Sequence, residues 1–341
     1  QALTDADASS SRSGTAIQAP APSPGPEPGI AARLTELLVQ QGFSILFNPF
    51  RLRGMARLGT GTLAAMSKLL WRPPDPNTIL KGELGVTKQV AWSKPVPLAE
   101  VKAIGRAVGG TVNDVMLAAA TGALRRYLVD RGEPVQGLKI RAGLSVNLRA
   151  PSAQPSLGNQ SGAVLVELPV GLGTALDRLQ HVKRGMDEIK NSPEASVVWA
   201  LMNALGKAPA ETQKTLVDAY CTRETAVIAN VHGPGETVYL AGAPLSTLMF
   251  WVPALGGASL CLSIASYAGQ VWFGAGTDQG LVPDPEELIA AYRAEFKALH
   301  HSAQELAPER NKAEVGEGFV EAMNALLDEA IARVDELLED Q

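Results

Sequence analysis

The stretch "GGTVNDVMLAAATGALRRYL", Gly109–Leu128, decides the fold because it predicts one long helix with a clear start signal. Thr111 suits the N-cap position, and Asp114 three residues later completes a Thr-x-x-Asp pattern close to the capping box. An apolar run at helical spacing follows, and Asn113 lies on the same face as that run. The stretch therefore predicts a long helix whose apolar face includes a polar side chain in its first turn.

The two neighbouring polar residues of this stretch have different interpretations. For Asp114 the capping box is a sufficient structural explanation, since such a cap contributes on the order of 1 kcal/mol; a place in a substrate site is the alternative. Asn113 has no such explanation. A buried amide without hydrogen-bond partners costs roughly 1–3 kcal/mol. Asn113 must therefore be tied to a neighbouring loop or point into a site.

Composition excludes several classes of protein. The chain of 341 residues has a formal net charge of -5, which does not suggest a nucleic-acid partner. Its two cysteines, Cys221 and Cys261, lie in apolar surroundings, which indicates a reducing compartment and argues against a disulfide framework. The histidines and cysteines lack metal-ligand spacing, and phosphate-loop and Gly-x-Ser-x-Gly motifs are absent. The sequence therefore predicts neither a metal site nor a bound cofactor.

Four regions differ in composition along the chain. Residues 1–29 are rich in Pro, Ser and Ala and predict a disordered linker. Residues 30–75 form an apolar and basic segment with helical character, and residues 76–308 carry the mixed pattern of a folded α/β domain. Residues 309–341 predict an amphipathic helix with an apolar stripe at helical spacing.

The apolar and basic segment has two interpretations. Its excess of cations, including Arg51, Arg53 and Arg57, stands out in an acidic chain and suits a surface that lies on an anionic membrane. A helical hairpin packed on the core, with some arginines at its surface, is the structural alternative. Both remain open at this point.

Helices and strands are both predicted in the central region. Helices are expected over Ala175–Lys190, Glu194–Gly206 and Glu211–Thr222, and another over 284–301 that ends in the solvated pair His300-His301. Strand-like stretches are expected at 87–93, 138–149, 162–170, 225–231, 237–242, 245–252, 258–267 and 269–278.

The segment Thr237–Thr277 contains no charged residue and could be mistaken for a membrane span. It is interrupted by glycines, prolines and a "YAG" turn, and such breaks do not suit a helix exposed to lipid. Buried strands are the better interpretation. Together the elements predict a layered α/β fold with a mixed sheet.

Several segments resemble one known family, in the same order along the chain. They are "PPDPNTILKGELG…VAWS" at 73–93, "TVNDVMLAAATGALRRYL" at 111–128, "LSVNLR…LGNQSGAVLVELPV" at 144–170, "VIANVHGPGETVYLAGAPL" at 227–245 and "SYAGQVWFGAGTDQGLVPDPEEL" at 266–288. Together they resemble the bacterial wax ester synthase/diacylglycerol acyltransferases. The resemblance implies a chloramphenicol acetyltransferase-like fold, here the C-terminal half plus part of the first half.

The resemblance also implies an activity. Members of the family transfer a fatty acyl group from acyl-CoA, as co-substrate, to diacylglycerol or a long-chain alcohol, in triacylglycerol or wax ester synthesis and glycerol metabolism. The second His of a His-His-x-x-x-Asp-Gly motif acts as general base. This sequence does not contain that motif, and "QALTD" at residues 1–5 resembles a segment that follows it in the family. The expectation is a C-terminal part whose base belongs to a missing N-terminal part.

Four residues are candidates for the substrate site. They are Asn113, Asp114, Asn230 and His232, with Asn113 the first choice and no catalytic residue expected within this chain. Asn230 matches the family's Asn in the same loop, whereas the family more often has Pro where His232 stands. Asn159 and Gln160, by contrast, suit turn chemistry between two strands.

Two alternatives come from other functional classes. The chain could be a non-catalytic protein associated with lipid or membrane, or a partner half that completes a site on another chain. The expected location is cytoplasmic, peripheral to the inner membrane or to lipid droplets.

Overall fold

A computed structural model describes residues 72–148, 161–253 and 257–306. The first elements are the strands β1 (Lys88–Trp92) and β2 (Val96–Pro97), followed by the helices α1 (Leu98–Ala107) and α2 (Val112–Asp130). Then come the strands β3 (Ile140–Asn147) and β4 (Ser161–Leu168) and the helices α3 (Ala175–Lys190), α4 (Glu194–Leu205) and α5 (Ala210–Cys221). The last elements are the strands β5 (Ala226–His232), β6 (Tyr239–Leu240), β7 (Ala243–Pro244), β8 (Leu260–Tyr267) and β9 (Gln270–Asp278), and a helix α6 over 285–306.

One mixed sheet organises these elements. Its seven strands run in the order β1-β9-β8-β5-β3-β4, with β2 also paired to β9. The pairs β3–β5 and β5–β8 are parallel, and the other pairs of this sheet are antiparallel. The expected layered α/β fold with a mixed sheet is therefore confirmed. Strand β8 is buried along its whole length, and its neighbour β5 becomes exposed only at its end.

Helix α2 is the centre of the hydrophobic core. Every residue from Asp114 to Leu124 is buried, so the helix presents no continuous face to water. It packs against α1 and α3, and α6 reaches it through contacts such as that of Tyr292 Oη with Met116 Sδ at 3.1 Å. The helix predicted from residues 109–128 is thus present, and it is an interior element rather than a surface one.

The turn predicted at "YAG" is a tight hairpin between β8 and β9. Ala268 and Gly269 both have positive φ, 45° for Ala268 and 74° for Gly269. Two consecutive residues with positive φ match the type I′ turn, whose twist suits a two-residue hairpin. Tyr267 pairs with Gln270 across it.

One predicted strand is shorter than expected and another is absent. The stretch 237–242 forms only the short strand β6, and 245–252 forms no strand. The chain there passes over β9 at two glycines, whose missing side chains leave space. Met249 and Trp251 occupy the space beside Gly274, and Trp251 also covers Gly276. The apolar segment therefore meets the sheet through its side chains and not through a ladder of backbone hydrogen bonds.

The pair His300-His301 does not end a helix, because α6 continues to residue 306 at the limit of the described residues. His301 is exposed and lies 3.3 Å from Glu305, and His300 contacts Gln304. The prediction of a helix terminus was wrong, although the position of His301 in solvent agrees with it. Within the described ranges, no helix is long and apolar enough to cross a membrane.

Several expectations lie outside the described residues. These are the linker 1–29, most of the segment 30–75, the turn that holds Asn159 and Gln160, and the helix within 309–341.

A buried ion cluster joins α2, α3 and α6. The Glu295 carboxylate of α6 accepts hydrogen bonds from Arg178 of α3 and Arg126 of α2, and Arg178 and Glu295 are both buried. The carboxylate crosses α2 at Gly122, where an added Cβ would overlap Glu295. Gly122 therefore permits the close approach of α2 and α6, although glycine within a helix costs about 1 kcal/mol relative to alanine.

We expect Gly122→Ala to lower the free energy of unfolding by about 3 kcal/mol, because the new methyl group would displace a carboxylate that two arginines hold. Gly185→Ala in α3 is the matched control, since an added Cβ meets nothing within 4 Å there. The control should leave stability unchanged or raise it by up to about 1 kcal/mol. Urea denaturation measures both. Equal stability of the two variants would contradict the role assigned to Gly122.

Candidate functional site

The capping box predicted for α2 is present in full. The Asp114 Oδ2 atom accepts hydrogen bonds from Thr111 N at 2.7 Å and from Thr111 Oγ1 at 2.8 Å, and Thr111 Oγ1 accepts one from Asp114 N at 3.3 Å. Asp114 is 0% exposed, and its Oδ1 atom has no hydrogen-bond partner. These contacts place Asp114 beneath the surface, where it holds the start of the helix.

Asn113, one residue earlier, meets Asn230 of β5. Asn230 Nδ2 donates a hydrogen bond to Asn113 Oδ1 over 3.1 Å, and both side chains are half-buried. Two of the predicted site residues are therefore in direct contact, although they are 117 positions apart. The Asn113 Nδ2 group makes no hydrogen bond with any described residue, so both its N–H donors are available to a ligand.

His232 lies at the end of β5, two residues beyond Asn230, and is exposed. Residues two apart on a strand point to the same side of the sheet, so His232 and Asn230 share a side. The chain then turns at Gly233, whose N–H donates to Ser266 O at 2.7 Å. An added Cβ at Gly233 would lie 2.8 Å from that same oxygen, so the turn needs glycine.

The structure thus brings Asn113, Asn230 and His232 to the same region, where α2 begins and β5 ends. The first turn of a helix carries partial positive charge from its free N–H groups. With the amide donors of Asn113 beside it, this arrangement can stabilise a carbonyl oxygen that becomes negatively charged. Within the described part of the chain, no group of three or more His, Cys, Asp or Glu side chains could hold a metal ion.

Comparison with known proteins agrees with this geometry. Residues 157–300, which include β5 with Asn230 and His232, match the model of the WS/DGAT C-terminal domain family. This region of the chain is therefore similar to the C-terminal domain of the wax ester synthase/diacylglycerol acyltransferases.

Proteins similar to this chain occur in mycobacteria. A Mycobacterium tuberculosis protein, provisionally named as a diacylglycerol O-acyltransferase, is 29% identical over 250 residues, which are 71% of this chain and 52% of the relative. A Mycobacterium bovis protein with the same provisional name is 28% identical over 238 residues, 65% of this chain and 47% of the relative. The chain spans about half the length of the curated relatives it matches.

A solved structure shares the fold. The wax ester synthase/diacylglycerol acyltransferase from Marinobacter aquaeolei VT8 superposes with a TM-score of 0.52 at 24% identity, over 74% of this chain and 57% of that one. The expected chloramphenicol acetyltransferase-like layered fold is thereby confirmed.

A second polar cluster was not predicted from the sequence. Asp75 is buried and accepts hydrogen bonds from the backbone N–H of Arg141 at 2.9 Å and from Arg141 Nε at 2.8 Å, and also from Thr225 Oγ1. Glu224 lies beside this cluster and is 3% exposed. Burial raises the pKa of Glu224 from 4.5 to about 7, with Lys81 opposing the shift and Asp75 adding to it. The only sequence signal was an Asp within a proline-rich loop, which is normally a turn residue.

The raised pKa of Glu224 makes stability depend on pH. Because its pKa is higher in the folded state than in the unfolded state, the folded state holds a proton that the unfolded chain releases. The stabilisation is complete below about pH 4.5 and is lost as the pH rises through about 7.

We therefore expect Glu224→Gln to be more stable than the parent at pH 8, by on the order of 3 kcal/mol, and nearly equal to it at pH 4. The free energy of unfolding in urea at the two pH values measures this. Glu211→Gln, which changes an exposed glutamate of α5, is the control and should show no such difference. A Glu224→Gln effect of the same size at both pH values would contradict the prediction.

Proposed function

We propose that the complete protein is an acyl-CoA-dependent O-acyltransferase that transfers a fatty acyl group to the hydroxyl of diacylglycerol or a long-chain alcohol. The family match and the provisional names of the mycobacterial relatives support this class of reaction. The observation that carries the proposal within this chain is the Asn113–Asn230 pair, which leaves an amide donor available at the start of a buried helix.

Asn113 would act on the acyl group. The hydroxyl oxygen of the acceptor attacks the thioester carbonyl carbon, and the carbonyl oxygen becomes an oxyanion that accepts a hydrogen bond from Asn113 Nδ2. When the carbon–sulfur bond breaks, CoA leaves as a thiolate and takes a proton. Removing one such hydrogen-bond donor typically lowers kcat by about 10²–10³-fold. Asn230 would position Asn113 by holding its Oδ1 atom.

The proton of the acceptor hydroxyl needs a base, and we propose that the base lies outside this sequence. His181 of α3 contacts Glu167 of β4, and His300 and His301 of α6 contact Gln304 and Glu305. None of these three histidines makes a hydrogen bond to Asn113 or Asn230. His232 is close, but the resemblance gives it no catalytic counterpart. A His-His-x-x-x-Asp-Gly segment from the rest of the complete protein would supply the base and then return the proton to the thiolate.

An assay of oleoyl-CoA consumption with diacylglycerol tests this proposal. The complete protein should turn over, and the 341-residue chain by itself should not. In the complete protein we expect Asn113→Ala to lower kcat by about 100-fold while changing the free energy of unfolding by less than about 1 kcal/mol. Asp114→Ala should instead cost about 1–2 kcal/mol of stability through loss of the cap.

Asn203→Ala is the matched control, because Asn203 is exposed on α4 and donates only to Trp199 O. It should leave turnover unchanged. Turnover by the 341-residue chain alone would refute the proposal that the base lies outside this sequence. Equal losses of turnover and stability in Asn113→Ala would show that the role of Asn113 is structural. The coding region upstream of Gln1 offers a separate check, since the proposal requires the histidine motif in frame there.

We also propose that the protein works in the cytoplasm at the surface of the inner membrane or of lipid droplets, because its acceptor substrates are insoluble in water. The support is the basic and apolar composition of residues 30–71, since each Lys or Arg near an anionic surface contributes about 1 kcal/mol to binding.

Flotation with vesicles that contain anionic lipid tests the membrane proposal. We expect replacement of Arg51, Arg53 and Arg57 by Glu to weaken binding by at least about ten-fold, since three favourable charges become repulsive. The matched control replaces three exposed lysines elsewhere in the chain, Lys207, Lys214 and Lys297, by Glu. Binding that is unaffected by the arginine changes, or lost equally in the control, would refute the proposal.

A further inference from the structure

A cavity of about 650 Å³ lies far from the Asn113–Asn230 pair along the sheet. It is lined by Arg72 and three prolines of the segment 72–76, by Lys139 and Arg141 around the start of β3, by β4 and by α3. Because β3 and β5 are parallel and Ala142 pairs with Ala226, the start of β3 lies level with the start of β5. Asn230 lies towards the opposite end of β5. The cavity is therefore separate from the candidate site.

Most charged groups of this cavity already neutralise one another. Glu167 lies 2.8 Å from Lys139 Nζ and 3.0 Å from His181 Nε2. Burial alone would raise the pKa of Glu167, but the hydrogen bonds from Lys139 and His181 outweigh it and lower the pKa. Arg141 is held by Asp75 and also donates to Pro73 O at 3.0 Å. These paired groups form part of the cavity wall, and their charges are largely neutralised before any ligand binds.

Two guanidinium groups on the same wall have N–H donors that can still accept an anionic ligand as partner. The Nη1 atom of Arg72 is buried without a hydrogen-bond acceptor, and its nearest ion-pair partner, Glu194 Oε1, is 3.9 Å away. Arg184 lines the cavity from α3, and among the described residues it forms no ion pair, even with Glu188 one turn later. A buried donor that lacks an acceptor costs roughly 1–3 kcal/mol, which an anionic ligand would recover.

The chemistry of the wall selects the type of anion. Guanidinium groups present a planar set of N–H donors that matches phosphate oxygens. Beside them lie three prolines, at 73, 74 and 76, together with Leu165 and Ile189, which form an apolar surface. The volume falls within the range of small-molecule sites, about 300–1,000 Å³.

We propose that this cavity binds a phosphate ester, with the phosphate on Arg72 and Arg184 and the organic part against the prolines. The same chemistry is offered by a soluble phosphate monoester and by the headgroup of an anionic phospholipid. The proposal does not depend on the proposed function, because it concerns other residues at another place on the sheet.

Two binding measurements with the full chain test the proposal. In the first, calorimetry compares AMP with adenosine, which lacks the phosphate. In the second, flotation compares vesicles that contain phosphatidic acid with vesicles of phosphatidylcholine alone. Saturable binding of AMP identifies a soluble ester, and selective binding of phosphatidic acid identifies a lipid headgroup. Preference for the phosphate-bearing probe in neither measurement would overturn the proposal.

Variants assign the binding to this cavity. We expect Arg184→Gln to weaken binding of the preferred probe by about ten-fold, as for loss of one charge-assisted hydrogen bond. Arg293→Gln is the matched control, because Arg293 is exposed on α6 and does not line the cavity. Thermal denaturation should show that both variants keep the stability of the parent, since both arginines are exposed. Equal affinity of the two variants for the probe would refute the site.

Discussion

Burial of α2 from Asp114 to Leu124 is the constraint on which the rest of this structure depends. The first N–H groups of a helix have no acceptor within the helix, so a buried helix start needs other acceptors. The capping box supplies them for the backbone N–H groups of Thr111 and Asp114. Along the helix, small residues let neighbouring elements approach closely, and at Gly122 the side chain of Glu295 passes over the backbone. The cap and the small residues together allow α2 to be the centre of the core.

The position of the candidate site follows from that constraint. Because the capping box fixes where α2 begins, the side chain of Asn113 in the first turn has a fixed direction. Strand β5, in the middle of the sheet, brings Asn230 to within 3.1 Å of it. An amide held at its oxygen keeps its N–H donors oriented, which is what a stabilised oxyanion requires. Structural and functional roles are thus divided between two neighbours, Asp114 and Asn113.

Local patterns predicted the regular elements well and the irregular segment poorly. Helix α3 begins and ends where the periodicity placed it, at Ala175 and Lys190, and the hairpin at Ala268 and Gly269 follows from its turn residues. Residues 245–252 have the composition of a strand but form none. Their side chains pack in the space that Gly274 and Gly276 of β9 leave open. The residues of the segment itself do not indicate that they pack against these glycines.

The sequence by itself determined the start of α2, the mixed α/β class and the choice of Asn113 over Asp114 as the residue the helix does not need. Those features depend on interactions within a few residues, such as Thr111 with Asp114. Only the tertiary structure decided that Asn113 meets Asn230, and that Arg72 and Arg184 share a cavity wall. Such contacts depend on strand order and helix packing, which join distant parts of the chain and leave no periodic trace in it.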